Sequence, residues 1–121
     1  MLTSVESHLE RTSIGVSEAF RAVVDFLETL GPVPVRVVPL KTMIVFSTAA
    51  TFGGVTFTRA RLDLGFFLDV PLRHSRIRRS ERISPRKIAN HLHISTAREV
   101  DAEVEHWLTE AYQRSFTGDG E

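Results

Sequence analysis

Seven cationic side chains, Arg73, Arg76, Arg78, Arg79, Arg82, Arg86 and Lys87, fall within fifteen residues and are opposed only by Glu81. Cations that close together repel one another, so they must face solvent, an anion or acidic side chains. Two readings follow. The segment is a solvated surface answered by acidic helices, or it is a surface for nucleic acid or a phosphorylated ligand. Arg59, Arg61 and the aromatic ring of Phe67 would extend a binding surface of the second kind. Lys41 joins the candidate cations, although a lone lysine at a strand entrance is ordinarily a solvated group.

The distribution of charge sharpens this. The 121-residue chain has no net formal charge, with 15 basic and 15 acidic residues. Residues 1–30 nevertheless carry two basic against five acidic groups, residues 31–97 eleven against three, and the remainder two against seven. Electrostatic recognition depends on the local field and not on the total, so acidic ends around a basic middle are informative.

Other chemistry is largely excluded. His91 and His93 would share one face of a strand and could supply two metal ligands, with His74, His8, His106 or a carboxylate as a third. A site needs at least three well-placed ligands, so no metal is expected. The chain has no cysteine, which rules out disulfides and thiolate zinc sites and is compatible with a reducing compartment such as a cytoplasm. There is no phosphate-cradling loop of the Walker type, no glycine fingerprint opening a helix and no nucleophile elbow. No spacing joins a nucleophile to a base, and no paired carboxylates stand out for acid-base work. The expectation is no catalytic residue and no cofactor.

The elements that must position the cations are legible from periodicity. Leu62, Leu64, Phe66 and Leu68 alternate with Asp63, Gly65, Phe67 and Asp69, the pattern of a half-buried strand. Thr42 to Phe46 is apolar on both faces and fits a central strand. Phe52 to Thr58 opens with Phe52-Gly53-Gly54, which predicts a bulge at a hairpin, or else a close approach of another backbone or a ligand. The gaps between these runs have hairpin lengths, so an antiparallel meander is expected. Val33 to Val38, with Pro32, Pro34 and Pro39 around it, is an edge strand if it is a strand. The arginine-rich segment has only Ile77 and Ile83 as apolar anchors and reads as a loop with a short strand.

Ile88 to Ile94 admits two readings. As a strand it points Ile88, Asn90, Leu92 and Ile94 inward and Ala89, His91 and His93 outward. As a helix, started by Ser84 and Pro85, it would be the first half of a helix-turn-helix whose next helix reads DNA. The alternation and length favour the strand.

Val16, Phe20, Val23, Leu27 and Leu30 form one stripe of a helix capped by Ser17 or Ser13 and stopped by Gly31-Pro32. A weaker signal places a short helix at Leu2 to Leu9. In the last helix Thr96 and Glu99 suggest a capping box, and Val100, Val104, Trp107, Leu108 and Ala111 form the stripe. Glu99, Asp101, Glu103 and Glu105 lie on its other side as a solvated acidic face. The chain is long enough for one core, so residues 1–121 form one α+β domain. Its sheet has about five antiparallel strands, with an N-terminal and a C-terminal helix packed on it. Residues 1–12 and 116–121 are expected to be flexible. No signal peptide or membrane-spanning run is evident, so a soluble cytoplasmic protein that does not engage a membrane is expected.

The order Leu30-Gly31-Pro32-Val33, Lys41-Thr42, Phe52-Gly53-Gly54, Ile83-Ser84-Pro85-Arg86 and Glu99-Val100-Asp101 to Ala111-Tyr112 resembles a bacterial family catalogued as domain of unknown function 5655. The resemblance runs from about His8 to Ser115. It implies an α+β fold distantly similar to the YjbR-like group, with helices packed on an antiparallel sheet. It also implies a strand at Ile88 to Ile94, against the helix-turn-helix. No activity or catalytic residue comes with it. The expectation is therefore a non-catalytic module that binds nucleic acid or a phosphorylated ligand through Lys41, Arg59, Arg61 and the Arg73 to Lys87 segment. The alternative is a protein-interaction or self-associating module, homodimeric for instance, in which the basic segment of one chain meets the acidic helix of another.

Overall fold

Leu62, Leu64, Phe66 and Leu68 are all buried, while Asp63, Gly65 and Phe67 between them are only half-buried. Around this strand the computed structural model, which describes residues 4–117, builds one antiparallel sheet. Its strands are β1 (Arg36–Pro39), β2 (Ile44–Ser47), β3 (Thr51–Phe57), β4 (Leu62–Leu68), β5 (Arg79–Ser84) and β6 (Lys87–Ile94). The spatial order is β1-β2-β3-β4-β6-β5. The sheet thus has six strands where the apolar periodicity indicates about five. The short strand expected in the arginine-rich segment is β5, at the edge of the sheet. It has no apolar alternation because it lies at an edge and is exposed along nearly its whole length.

The meander holds for β1 through β4 and then breaks. The chain passes β4's neighbouring position, forms β5 at the edge and returns as β6 between the two. Ile88 to Ile94 is accordingly a strand, with Ile88, Asn90, Leu92 and Ile94 buried. Asn90 is fully buried and fixes this return. Its Oδ1 accepts from the Leu72 N–H at 2.9 Å and the Ser80 hydroxyl at 2.6 Å, and its Nδ2 donates to the Val70 carbonyl at 3.1 Å.

The paired glycines sit where the β2–β3 register slips. Phe46 lies opposite Gly53 and Ser47 opposite Thr51, so Phe52 is the extra residue of a bulge, as expected for a Gly-Gly in a hairpin strand. Phe52 is buried and meets Tyr112 edge-on, with ring centroids 5.9 Å apart.

Three helices lie on one face: α1 (Val5–Leu9), α2 (Ile14–Glu28) and α3 (Ala102–Thr117). Ser13, not Ser17, caps α2, its hydroxyl accepting from the Val16 N–H at 3.2 Å. The helix buries Val16, Ala19, Phe20, Val23 and Leu27, and Phe20 packs edge-on against Phe57. From α3, Val104, Trp107, Leu108, Ala111 and Tyr112 are buried, and Trp107 stacks on Phe66 with centroids 5.8 Å apart. Each of the larger aliphatic and phenyl side chains contributes roughly 1.5–3 kcal/mol on leaving water, so these two stripes and the inward face of the sheet make the core. The Thr96 and Glu99 capping box forms, but it closes a separate 3-10 turn at Ala97–Glu99. The long helix begins after it, with Asp101 Oδ1 accepting from the Val104 N–H at 3.2 Å. The expectation of flexible ends falls in part on residues 1–3 and 118–121, which lie outside the described residues. Residues 5–9 and 116–117 are helical.

Candidate functional site

With all helices on one side, the other face of the sheet is left open, and it collects residues from five strands. Across its middle run Val45, Gly54, Gly65, His91 and Arg79, each opposite the next. The glycines answer a packing need. A Cβ at Gly53 would stand 2.7 Å from the Gly65 carbonyl oxygen, and one at Gly54 would stand 2.8 Å from that of Ile44. Close approach of neighbouring backbones therefore excludes any side chain there. Gly65 does something different, since a Cβ on it would meet the His91 ring at 2.9 Å. The imidazole lies over the space that Gly65 leaves. The result is a cavity of about 240 Å³ lined by backbone at Gly53, Gly54 and Gly65, with the Met43 methyl over Gly54 and apolar walls at Val45, Phe67 and Ala89. Lys87 Nζ stands over the Phe67 ring, 5.2 Å from its centroid.

One end of the cavity is polar. His91 Nδ1 lies 2.8 Å from Asp63 Oδ1, a hydrogen bond that puts the ring proton on Nδ1. The other oxygen of Asp63 receives Arg79 Nη1 at 3.3 Å and faces His93 Nε2 at 3.6 Å. His91 Nε2 is shut off from solvent without a hydrogen-bond partner. Glu81 Oε1 is 3.4 Å from it, but that oxygen is itself an acceptor and is not aligned for a bond. Burial first, and then the charge of Arg61, Arg78 and Arg79, hold the His93 imidazole below its ordinary pKa, with Asp63 opposing them. Three guanidinium groups therefore bring positive charge to His93.

The cations named from the sequence are otherwise dispersed. Arg76 turns to the helix side, where Nη1 meets Asp101 at 3.0 Å and Glu103 at 3.3 Å and Nη2 donates to the Glu99 carbonyl at 2.9 Å. His74 Nε2 pairs with Glu103 at 2.7 Å. The acidic start of α3 is thus partly engaged by the basic segment of the same chain, not simply solvated. Burial works against ionisation of Asp101, yet the Val104 N–H and the Arg76 guanidinium together hold its carboxyl below the usual range. Arg82 donates to the Pro85 carbonyl at 2.9 Å, within its own hairpin. Arg73 and Arg86 are exposed on connections. Lys41 and Arg59 meet Arg11, which sequence reasoning did not single out, along a wider groove of about 670 Å³ that includes His8 and Glu10.

The histidines do not assemble a metal centre. His8 Nε2 is bound to the Leu40 carbonyl, His106 faces Glu110, and His74 is on the helix side. Among the described residues no group of three or more His, Asp or Glu side chains is placed to hold a metal ion. A carboxylate-oriented imidazole is the arrangement of a general base. Here, however, Nε2 is hydrogen-bonded to no hydroxyl, so no nucleophile is paired with it. Asp63, Glu81 and His91 are the site residues that sequence reasoning missed as a group. The outward positions of Asp63 and His91 were readable from alternation, but the pairing of β4 with β6 across the intervening β5 was not.

A family model described as a domain of unknown function (DUF5655) matches residues 5–115, and the chain belongs to that family. Comparison with curated proteins returned no match, and comparison with solved structures likewise returned none. No helix among the described residues is long and apolar enough to cross a membrane.

Proposed function

We propose that this DUF5655 domain is a non-catalytic module that binds a phosphate-bearing partner, nucleic acid or a phosphorylated ligand, on the open face of its sheet. The observation that carries the reading is that Arg61, Arg78 and Arg79 all bring positive charge to His93, with Arg61 and Arg78 exposed. Arg61 and Arg78 make no ion pair with any described carboxylate, so their charge is available to an anion. Lys87 adds a cation at the Phe67 wall, while Arg76 is consumed by α3 and contributes nothing to this surface. A guanidinium fork suits phosphate oxygens, and a face lined with such groups draws anions from solution. The absence of cysteine fits a reducing compartment such as a cytoplasm.

The alternative, a module that self-associates through its basic segment and the acidic helix of a second chain, is placed second. The acidic groups it needs at the start of α3 already face Arg76 and His74 of their own chain.

The test is fluorescence anisotropy with labelled single-stranded oligonucleotides and with inorganic polyphosphate at rising salt. Binding at low ionic strength that weakens as log salt rises supports the reading, with a slope of about −0.7 for each phosphate neutralised on a single strand. No salt-sensitive binding to either probe at low ionic strength overturns it.

A further inference from the structure

We infer that the glycine-lined cavity is a subsite for the flat ring of a nucleobase, carried by a nucleotide or by single-stranded nucleic acid whose phosphate reaches Arg61 and Arg78. The inference rests on the phosphate-binding reading and adds the chemistry of the group beside the phosphate.

Phosphate alone has no use for this cavity. It is lined by peptide backbone at Gly53, Gly54 and Gly65, by the Met43 thioether and His91 ring beside them, and by apolar walls at Val45, Phe67 and Ala89. The Met43 methyl stands over Gly54 and the His91 ring over Gly65, and a planar π-system covers thioether, peptide and aromatic surface without needing a shaped pocket. The sugar and phosphate of the same ligand would then extend towards His93, where Arg61 and Arg78 bring positive charge. Stacking of a base on such a platform, with cations tracking the backbone, is the general physics of single-strand recognition.

The polar end discriminates among flat rings. Asp63 and Glu81 supply acceptors and Arg79 supplies donors within a few ångströms of one another. Side chains of Glu81 and Arg79 are both more than half exposed, so they can turn towards a ligand edge without disturbing the core. His91 Nε2, an acceptor that has no hydrogen-bond partner, lies 3.4 Å from Glu81 Oε1. The site thus offers donors and acceptors side by side, matching the mixed edge of a base. The bare phenyl ring of a phosphotyrosine presents no such edge.

The experiment is an NMR titration of the 15N-labelled chain with adenosine monophosphate, ribose 5-phosphate, inorganic phosphate and phosphotyrosine, followed by anisotropy with an oligonucleotide and its abasic counterpart. The expected result is that adenosine monophosphate moves the amide signals of Gly53, Gly54, Gly65 and His91 and binds at least about fivefold more tightly than ribose 5-phosphate. The abasic strand should be weaker by a similar factor. Val45→Phe, which fills the cavity, should abolish that preference and leave binding of inorganic phosphate in place. Should Val45→Phe fail to fold, the comparison of ligands on the unaltered chain still decides. Equal affinity for ribose 5-phosphate and the nucleotide, with the glycine signals unmoved, overturns the subsite and leaves the phosphate reading standing. Tighter binding of phosphotyrosine than of the nucleotide overturns it too. If no probe binds at low salt, the phosphate reading itself fails and the subsite with it.

Discussion

His91 Nδ1 and Asp63 Oδ1 are held 2.8 Å apart across two paired strands, with the imidazole resting over Gly65. The contact fixes the tautomer of the ring. Proton-detected long-range 15N spectra should show the Nδ1–H form of neutral His91, and Asp63→Asn should disturb that pattern. Because the hydrogen bond has a charged acceptor and is largely shielded, Asp63→Asn should destabilise the fold by about 1–3 kcal/mol in urea titration. An unchanged midpoint would show that the contact is not formed in solution.

Arg61 and Arg76 should behave oppositely as binding residues. Arg61→Gln and Arg78→Gln should each weaken oligonucleotide binding and lower the magnitude of the salt slope by about 0.7. Arg76→Gln should leave that slope alone but loosen the attachment of the β4–β5 connection to α3. Its signature is a rise of the Asp101 pKa towards the ordinary carboxylate value, read by NMR titration. If all three variants reduce binding equally, the open face is not the distinguishing surface.

The depressed pKa of His93 makes stability depend on pH. The unfolded chain takes up a proton near the ordinary histidine value of about 6.5 and the folded chain only at lower pH. The stability this group contributes is therefore present above the unfolded pKa and lost as pH falls through the folded one. Thermal unfolding followed between about pH 8 and pH 5 should show a decline that His93→Gln flattens. A pH profile identical in the two proteins would remove His93 as its source.

Two glycine substitutions separate packing from turn chemistry. Gly54→Ala places a methyl 2.8 Å from the Ile44 carbonyl oxygen, and relief requires the strand backbone to move. A loss of about 1–3 kcal/mol is expected, as for other overpacked sites. Gly31→Ala meets nothing within 4 Å and should be tolerated. Chemical denaturation of the pair provides the check, and an equal effect at both positions would contradict the close approach of β2 and β3.

Asn90 should be the most costly polar residue to replace. Asn90→Leu strips partners from the Leu72 N–H, the Val70 carbonyl and the Ser80 hydroxyl at once. A buried group left unpaired costs roughly 1–3 kcal/mol, so the variant should be strongly destabilised, with amide exchange first appearing in 70–80.

Much of this fold is legible in the residue pattern, for reasons that differ by element. The strand at Leu62 to Leu68 and the helix stripe from Val16 to Leu27 bury one face each, so their periodicity is written in apolar residues. Sequence alone suggests a short strand in the arginine-rich segment but not the bounds or place of β5, since an exposed edge strand needs no apolar alternation and is held by its hairpin with β6. The candidate cations were visible as residues, but their distribution over two sides of the molecule depends on strand order. Arg76 and Arg79 are three residues apart and end on opposite faces, one with Asp101 and the other with Asp63. The Asp63 and His91 pair was hidden for the same reason, since nothing local joins residues 28 positions apart.

The two margins of the sheet are β1 and β5. Proline at position 39 offers no N–H to an arriving strand, and β5 presents Arg79, Glu81 and Arg82 along its length. Natural sheets use both devices to prevent edge-to-edge growth into aggregates. A second copy that docked on this molecule would therefore meet a face or a loop, and would not lengthen the sheet into a ribbon shared by two chains.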